Sequence, residues 1–231
     1  STKLMYAAQS LPGPLGVSAA APLPEGSRTA LLVMDMQNDF VERGAPRQVP
    51  GATEIIPAVA TAAERMRNQG DLIVWTVRAH SADGSNVEPS RKPSFERNPY
   101  AVAGTRGAAL VDGLEPKPED LSGVTPSYSA FFRTDLDLKL RESGVSKIVG
   151  CGVDLSRSVR ATLVNAVSLG YEGPVLAPPV AGRADQALKP GGPGRPRRDG
   201  RGVEPMARRP RAPQVRLWPS DARASAPSAG P

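Results

Sequence analysis

Apolar residues along the chain follow two alternating patterns: short unbroken runs that end on polar residues, and stretches with an apolar position every three or four residues. The first run, residues 30–34, stops at Asp35 and is followed by the polar Gln37, Asn38 and Asp39. An unbroken run predicts a strand covered on both faces, here with a carboxylate at its C-terminal end. Residues 29–34, 72–77, 121–124, 147–153 and 174–177 are the five predicted strands. Ile56, Val59, Ala60, Ala63 and Met66 recur at helical spacing ahead of Gly70, predicting a helix over 53–68 with Pro57 in its first turn. Thr134 is placed to cap a helix over 135–142 that Gly144 ends, and Ser156 to cap one that reaches about Leu169. Strands alternating with helices at this spacing predict an α/β fold, a doubly wound, Rossmann-like parallel sheet with helices on both faces and right-handed crossovers.

The segments outside this pattern have their own character. Residues 1–27 read as an extended arm, because Pro12, Pro14, Pro22 and Pro24 preclude a continuous helix. Residues 81–100 are rich in Ser, Pro, Asn and Arg without periodicity, which points to a functional loop or lid, and a short helix is expected within 101–113. Residues 183–231 hold nine prolines and few large apolar side chains, too little to offset the entropy of ordering, so disorder is expected there. The folded domain is therefore expected over 28–182.

Charge and composition narrow the function. Residues 183–231 carry eleven Lys and Arg against four Asp and Glu, an excess of seven in a chain of net charge +6. The remainder is at −1, so the basic balance says nothing about the domain's ligand. The arginines of the tail read as solvated chain, with nucleic-acid binding as the competing and less favoured reading. No apolar run approaches the roughly 18–20 residues of a membrane span, and no membrane partner is expected. Cys151 is the single cysteine and His80 the single histidine, so neither a disulfide framework nor a Cys/His zinc cluster can form. No metal and no cofactor are expected, and the cytoplasm is the expected location.

Three blocks carry a resemblance. Residues 31–40 read Leu-Leu-Val-Met-Asp-Met-Gln-Asn-Asp-Phe, residues 128–138 read Tyr-Ser-Ala-Phe-Phe-Arg-Thr-Asp-Leu-Asp-Leu, and residues 149–166 centre on Gly152-Val153 and Val159-Arg160-Ala161-Thr162. In order and spacing they resemble the isochorismatase-like hydrolase superfamily, which includes isochorismatases, nicotinamidases and N-carbamoylsarcosine amidohydrolases. The resemblance implies hydrolysis of a small polar molecule, at a vinyl ether or amide bond. It implies an Asp at the end of the first strand as acid/base, with a Lys beside it placed just before the Tyr-Ser-Ala-Phe motif. In the amidohydrolases it also implies a nucleophilic Cys opening the helix after the Gly-Val turn. A helix N-terminus favours a thiolate and an oxyanion, so the last placement is chemically sensible.

Carried over residue by residue, Asp35 holds the acid/base position, Thr125 the lysine position and Ser158 the cysteine position. A serine hydroxyl is less acidic than a thiol and needs a well-placed base. With Thr125 in place of lysine, no cation is expected beside Asp35. Cys151 reads as core. Phe40, Trp75, Arg78, Tyr128 and Asp154 are the expected substrate-binding residues, with Arg78 able to pair a substrate carboxylate. Val153-Asp154 matches the place where the family carries a non-proline cis peptide, and one histidine cannot reproduce the metal cluster of nicotinamidases. Two readings stand: a hydrolase with an altered catalytic set, or a weak or inactive member serving as a binding or scaffold protein. A homo-oligomer is expected by the same resemblance. After the fifth strand Pro178-Pro179 replaces the acidic motif, and no adequate helix is expected to follow.

Overall fold

Strand β1 (Arg28–Met34) is the middle of a five-stranded sheet, and both its faces are buried from Ala30 to Met34. The computed structural model describes residues 28–182; the expected arm at 1–27 and tail at 183–231 lie outside the described residues. The other strands are β2 (Leu72–Val77), β3 (Leu121–Val124), β4 (Val145–Gly152) and β5 (Glu172–Val180). All pair in parallel, in the order β3-β2-β1-β4-β5. The helices are α1 (Asn38–Val41), α2 (Ile56–Asn68), α3 (Lys92–Arg97), α4 (Leu136–Glu142) and α5 (Arg160–Ser168).

Successive side chains on a strand point to opposite faces, so β1 divides its apolar residues between two cores. Leu31 and Val33 join Ile73, Trp75 and Cys151 against Val59 and Ala63 of α2. Ala30, Leu32 and Met34 join Leu72, Val74 and Ile148 against Leu136 and Leu140 of α4 and Ala166 of α5. The result is the three-layer α/β/α arrangement that the alternation of patterns predicts. Each large aliphatic residue so buried contributes about 1.5–3 kcal/mol.

Where local structure departs from the pattern, backbone chemistry explains it. Residues 53–55 form a 3-10 turn and the α-helix begins at Ile56, with Pro57 in its first turn where a missing N–H costs nothing. The helix expected to start at Ser156 opens instead with a π-helical turn (Leu155–Val159), capped by Asp154, whose carboxylate accepts from Ser156 N at 2.9 Å. β5 runs to Val180 through Pro178-Pro179, which is tolerated because β5 is an edge strand among the described residues. The segment 81–100 contains α3, and 101–113 holds only a 3-10 turn at Arg106–Ala108.

The strand order positions the site. The chain steps outward from β1 to β2 and β3, then returns to β4 on the other side of β1. Loops leaving the C-terminal ends of β1 and β4 therefore diverge, which opens a crevice at the switch point. Gly152 keeps β1 and β4 close there: its φ is 103°, and a Cβ would run into the Met34 carbonyl oxygen. Gly152→Ala is expected to lower unfolding stability by more than about 2 kcal/mol through this clash and the left-handed backbone, as read from the urea midpoint.

Candidate active site

Asp35 is the first residue past β1, and it turns the chain with a left-handed φ of 53°. Its N–H is held by Thr76 O at 2.9 Å and its own carbonyl accepts from Gln37 N at 2.8 Å. Asp is among the few residue types that tolerate this conformation, and the turn aims the carboxylate across the strand ends. Arg78 follows β2. Gln37 clamps its backbone, accepting from Arg78 N and donating to Arg78 O, each at 2.7 Å. Ser158 lies in the π-helical turn that leads into α5.

These three side chains meet. Ser158 Oγ donates to Asp35 Oδ2 at 2.6 Å, Arg78 Nη2 donates to Ser158 Oγ at 3.2 Å, and Arg78 Nε lies 3.4 Å from the same Asp35 oxygen. Arg78 is 1% exposed, Asp35 5% and Ser158 6%, so the set is screened little by solvent. Guanidinium is only a donor, so the lone proton of Ser158 is directed to the carboxylate. Among the described residues Arg78 Nη1 has no hydrogen-bond partner, and it lies 3.7 Å from Glu88 Oε1. Sequence reasoning expected no cation beside Asp35; the structure places one there, contributed by β2 rather than β3.

A cavity of about 670 Å³ opens above this set, and Asp35, Arg78 and Ser158 all line it. Arg47, Arg91 and Arg157 face it with Arg78, against the carboxylates of Asp35 and Asp154, so its wall is predominantly cationic. Tyr128 is stacked under Arg91, 4.6 Å from ring centroid to guanidinium carbon, and Phe40 meets Tyr100 edge-on at 5.9 Å. Arg47 is bonded to Ser94 and lies over the Tyr100 ring. Burial is the largest single influence and works against charge on Glu88 and on Arg91, but their mutual hydrogen bonds and the neighbouring charges together outweigh it: Glu88 is held below and Arg91 above its ordinary value.

Of the expected site residues, Asp35, Ser158, Phe40, Arg78, Tyr128 and Asp154 line the cavity. Trp75 and Thr125 do not. Trp75 stands within β2 with its ring in the α2-side core, and its indole donates to Asp120 at 2.9 Å; the face of the strand, not nearness to its end, decides where it points. Thr125 is buried with its hydroxyl turned to Val77 O at 3.4 Å. Cys151 is fully buried in the same core as Trp75, and burial pushes its thiol up to about 12. Val153-Asp154 is a cis peptide. Among the described residues no group of three or more His, Cys, Asp and Glu could hold a metal ion. Arg47, Arg91, Ser94 and Arg157 are lining residues that sequence reasoning missed; the polar segment 81–100 signalled a lid without marking Arg91 and Ser94 as facing inward, and the loops holding Arg47 and Arg157 carried no such signal.

Comparison with known proteins agrees with this fold. The isochorismatase domain model matches residues 29–187. A protein of Arabidopsis thaliana named probable inactive nicotinamidase is 44% identical over 146 residues, covering 62% of this chain and 74% of that one. The ureidoacrylate amidohydrolase RutB of Enterobacter sp. is 33% identical over 167 residues, covering 64% and 73%. Among solved structures, an isochorismatase family protein from Desulfovibrio vulgaris superposes with a TM-score of 0.61 at 40% identity, over 64% of this chain and 78% of that chain.

The cationic rim has a consequence for stability. His80, 2% exposed between Phe95 and Tyr100, is lowered to about 4 by burial and then by the charges of Arg78 and Arg91. The unfolded chain therefore binds this proton more readily than the folded one below about pH 6.5. Stability is expected to be fully present above that pH and to be lost as pH falls toward 4. His80→Gln should flatten this part of the pH profile of the urea midpoint, measured against the parent chain.

Proposed function

We propose, for a chain that belongs to the isochorismatase family of hydrolases, that it hydrolyses an acyl bond to nitrogen or oxygen in a small polar metabolite, with Asp35 as the proton-transfer group. The observation that carries this reading is the 2.6 Å hydrogen bond from Ser158 Oγ to Asp35 Oδ2. Its direction suits a base, and the position at the mouth of a helix suits a nucleophile. In the acylation step Ser158 Oγ bonds to the carbonyl carbon while its proton passes to Asp35. Collapse of the tetrahedral intermediate breaks the bond to the leaving group, which takes that proton from Asp35. Water then attacks the acyl ester by the same route, releasing the acid and restoring Ser158.

A second reading has its own support. Thr125 and Ser158 stand where the resemblance implies Lys and Cys, and a 44% identical relative bears the name probable inactive nicotinamidase. On that reading the cationic cavity binds a small molecule without turning it over.

Purified protein incubated with ureidoacrylate, nicotinamide, isochorismate and a panel of small amides and esters separates the two. Turnover of an amide or ester, lowered about 10²–10⁴-fold by Asp35→Ala and by Ser158→Ala, is the expected result. Turnover indifferent to Asp35→Ala removes the proposed mechanism. Thermal stabilisation by a panel member with no turnover favours the binding protein.

A further inference from the structure

The charge at this site has an unexpected source. Arg78 directs Nε to Asp35 and Nη2 to Ser158, while Nη1 faces the Glu88 carboxylate at 3.7 Å, so two nitrogens of a fully buried guanidinium are committed to the site and the third faces a counter-charge. Thr125, the position where the resemblance implies a lysine, is its lateral neighbour. Val77 pairs with Val124 in the β2–β3 register, which makes Arg78 and Thr125 the next positions along two parallel strands. Thr125 N donates to Val77 O at 2.9 Å, continuing that ladder by one step. Adjacent strands lie about 4.8 Å apart, so a cation at either position can reach the same carboxylate. Both residues are buried, and two cations side by side there would repel with little solvent to screen them.

We infer that Arg78 is the catalytic cation of this site and that Thr125 is its necessary neutral counterpart, the positive charge having been displaced by one strand from β3 to β2. The uncharged Thr125 is then half of a coupled exchange rather than a lost function. The inference rests on Asp35 and Ser158 being the reacting pair, and it assigns Arg78 the work of stabilising negative charge on Ser158 Oγ as the proton moves to Asp35. Asp35 after β1 and Arg78 after β2 touch that oxygen; Arg47 before α2, Arg91 on the polar segment, Tyr128 after β3, and Asp154 and Arg157 in the turn after β4 line the same cavity, and Glu88 pairs with Arg78 and Arg91 behind it.

A substrate-independent experiment keeps this separate from the hydrolase reading. In the full-length chain carrying Ser158→Cys, the pH dependence of alkylation by iodoacetamide, followed by intact mass, reports the introduced thiol. Cys151, fully buried and pushed up to about 12, is the silent internal control. Adding Arg78→Met should raise the alkylation midpoint by about 1–3 pH units, and adding Thr125→Lys to that pair should return most of the shift. Thr125→Lys without Arg78→Met should lower the melting temperature. An unchanged midpoint in the Arg78→Met background would overturn the inference, whatever the substrate panel shows. If the chain carrying both changes does not fold, Arg78→Lys decides: a midpoint near that of the Arg78 parent supports the inference, and one near that of Arg78→Met overturns it.

Discussion

The buried pairing of Asp35 with Arg78 is the constraint on which the site depends. A carboxylate that is 5% exposed and a guanidinium that is 1% exposed have both given up hydration that costs several kcal/mol per ion. Neither is tolerable without the other. Ser158 completes the set by donating to Asp35 and accepting from Arg78, so each charged group gains a hydrogen bond as well as a counter-charge. The left-handed turn at Asp35, the Gln37 clamp on the Arg78 backbone and the close approach at Gly152 all hold these three groups together.

The sheet makes that pairing possible. Asp35, Arg78 and Ser158 come from segments following β1, β2 and β4, three strands adjacent in space and distant in sequence. Their C-terminal ends share one crevice because the connections diverge on either side of β1. The two apolar cores below are built from alternate residues of the same strands, so the strands that fix the fold also fix the spacing of the charged groups.

Much of this was readable in advance, for identifiable reasons. β2 matches its predicted bounds because it is a compact apolar segment closed by Arg78, and β3, which is only Leu-Ser-Gly-Val, because turn residues precede it and Thr125-Pro126 follows it. Asp35 was legible because it ends the central strand. The role of Arg78 was not, because lateral register, not neighbouring sequence, brings it to Asp35 and Ser158. Trp75 was misjudged for a related reason: a residue in the strand interior is governed by the face it takes, and this one faces α2. The other arginines on the rim come from three separate segments, Arg47 before α2, Arg91 in the polar segment and Arg157 in the turn after β4, and composition marks such loops but not their inward sides.

The most direct test of the account is a double-mutant cycle on unfolding stability with Asp35→Asn and Arg78→Met, read from urea midpoints at neutral pH. Each single change leaves a buried charge without its partner and is expected to cost about 3–5 kcal/mol. The double variant should cost clearly less than the sum, with a coupling energy of about 1–3 kcal/mol. Strictly additive losses would contradict the claim that this buried pair holds the site together.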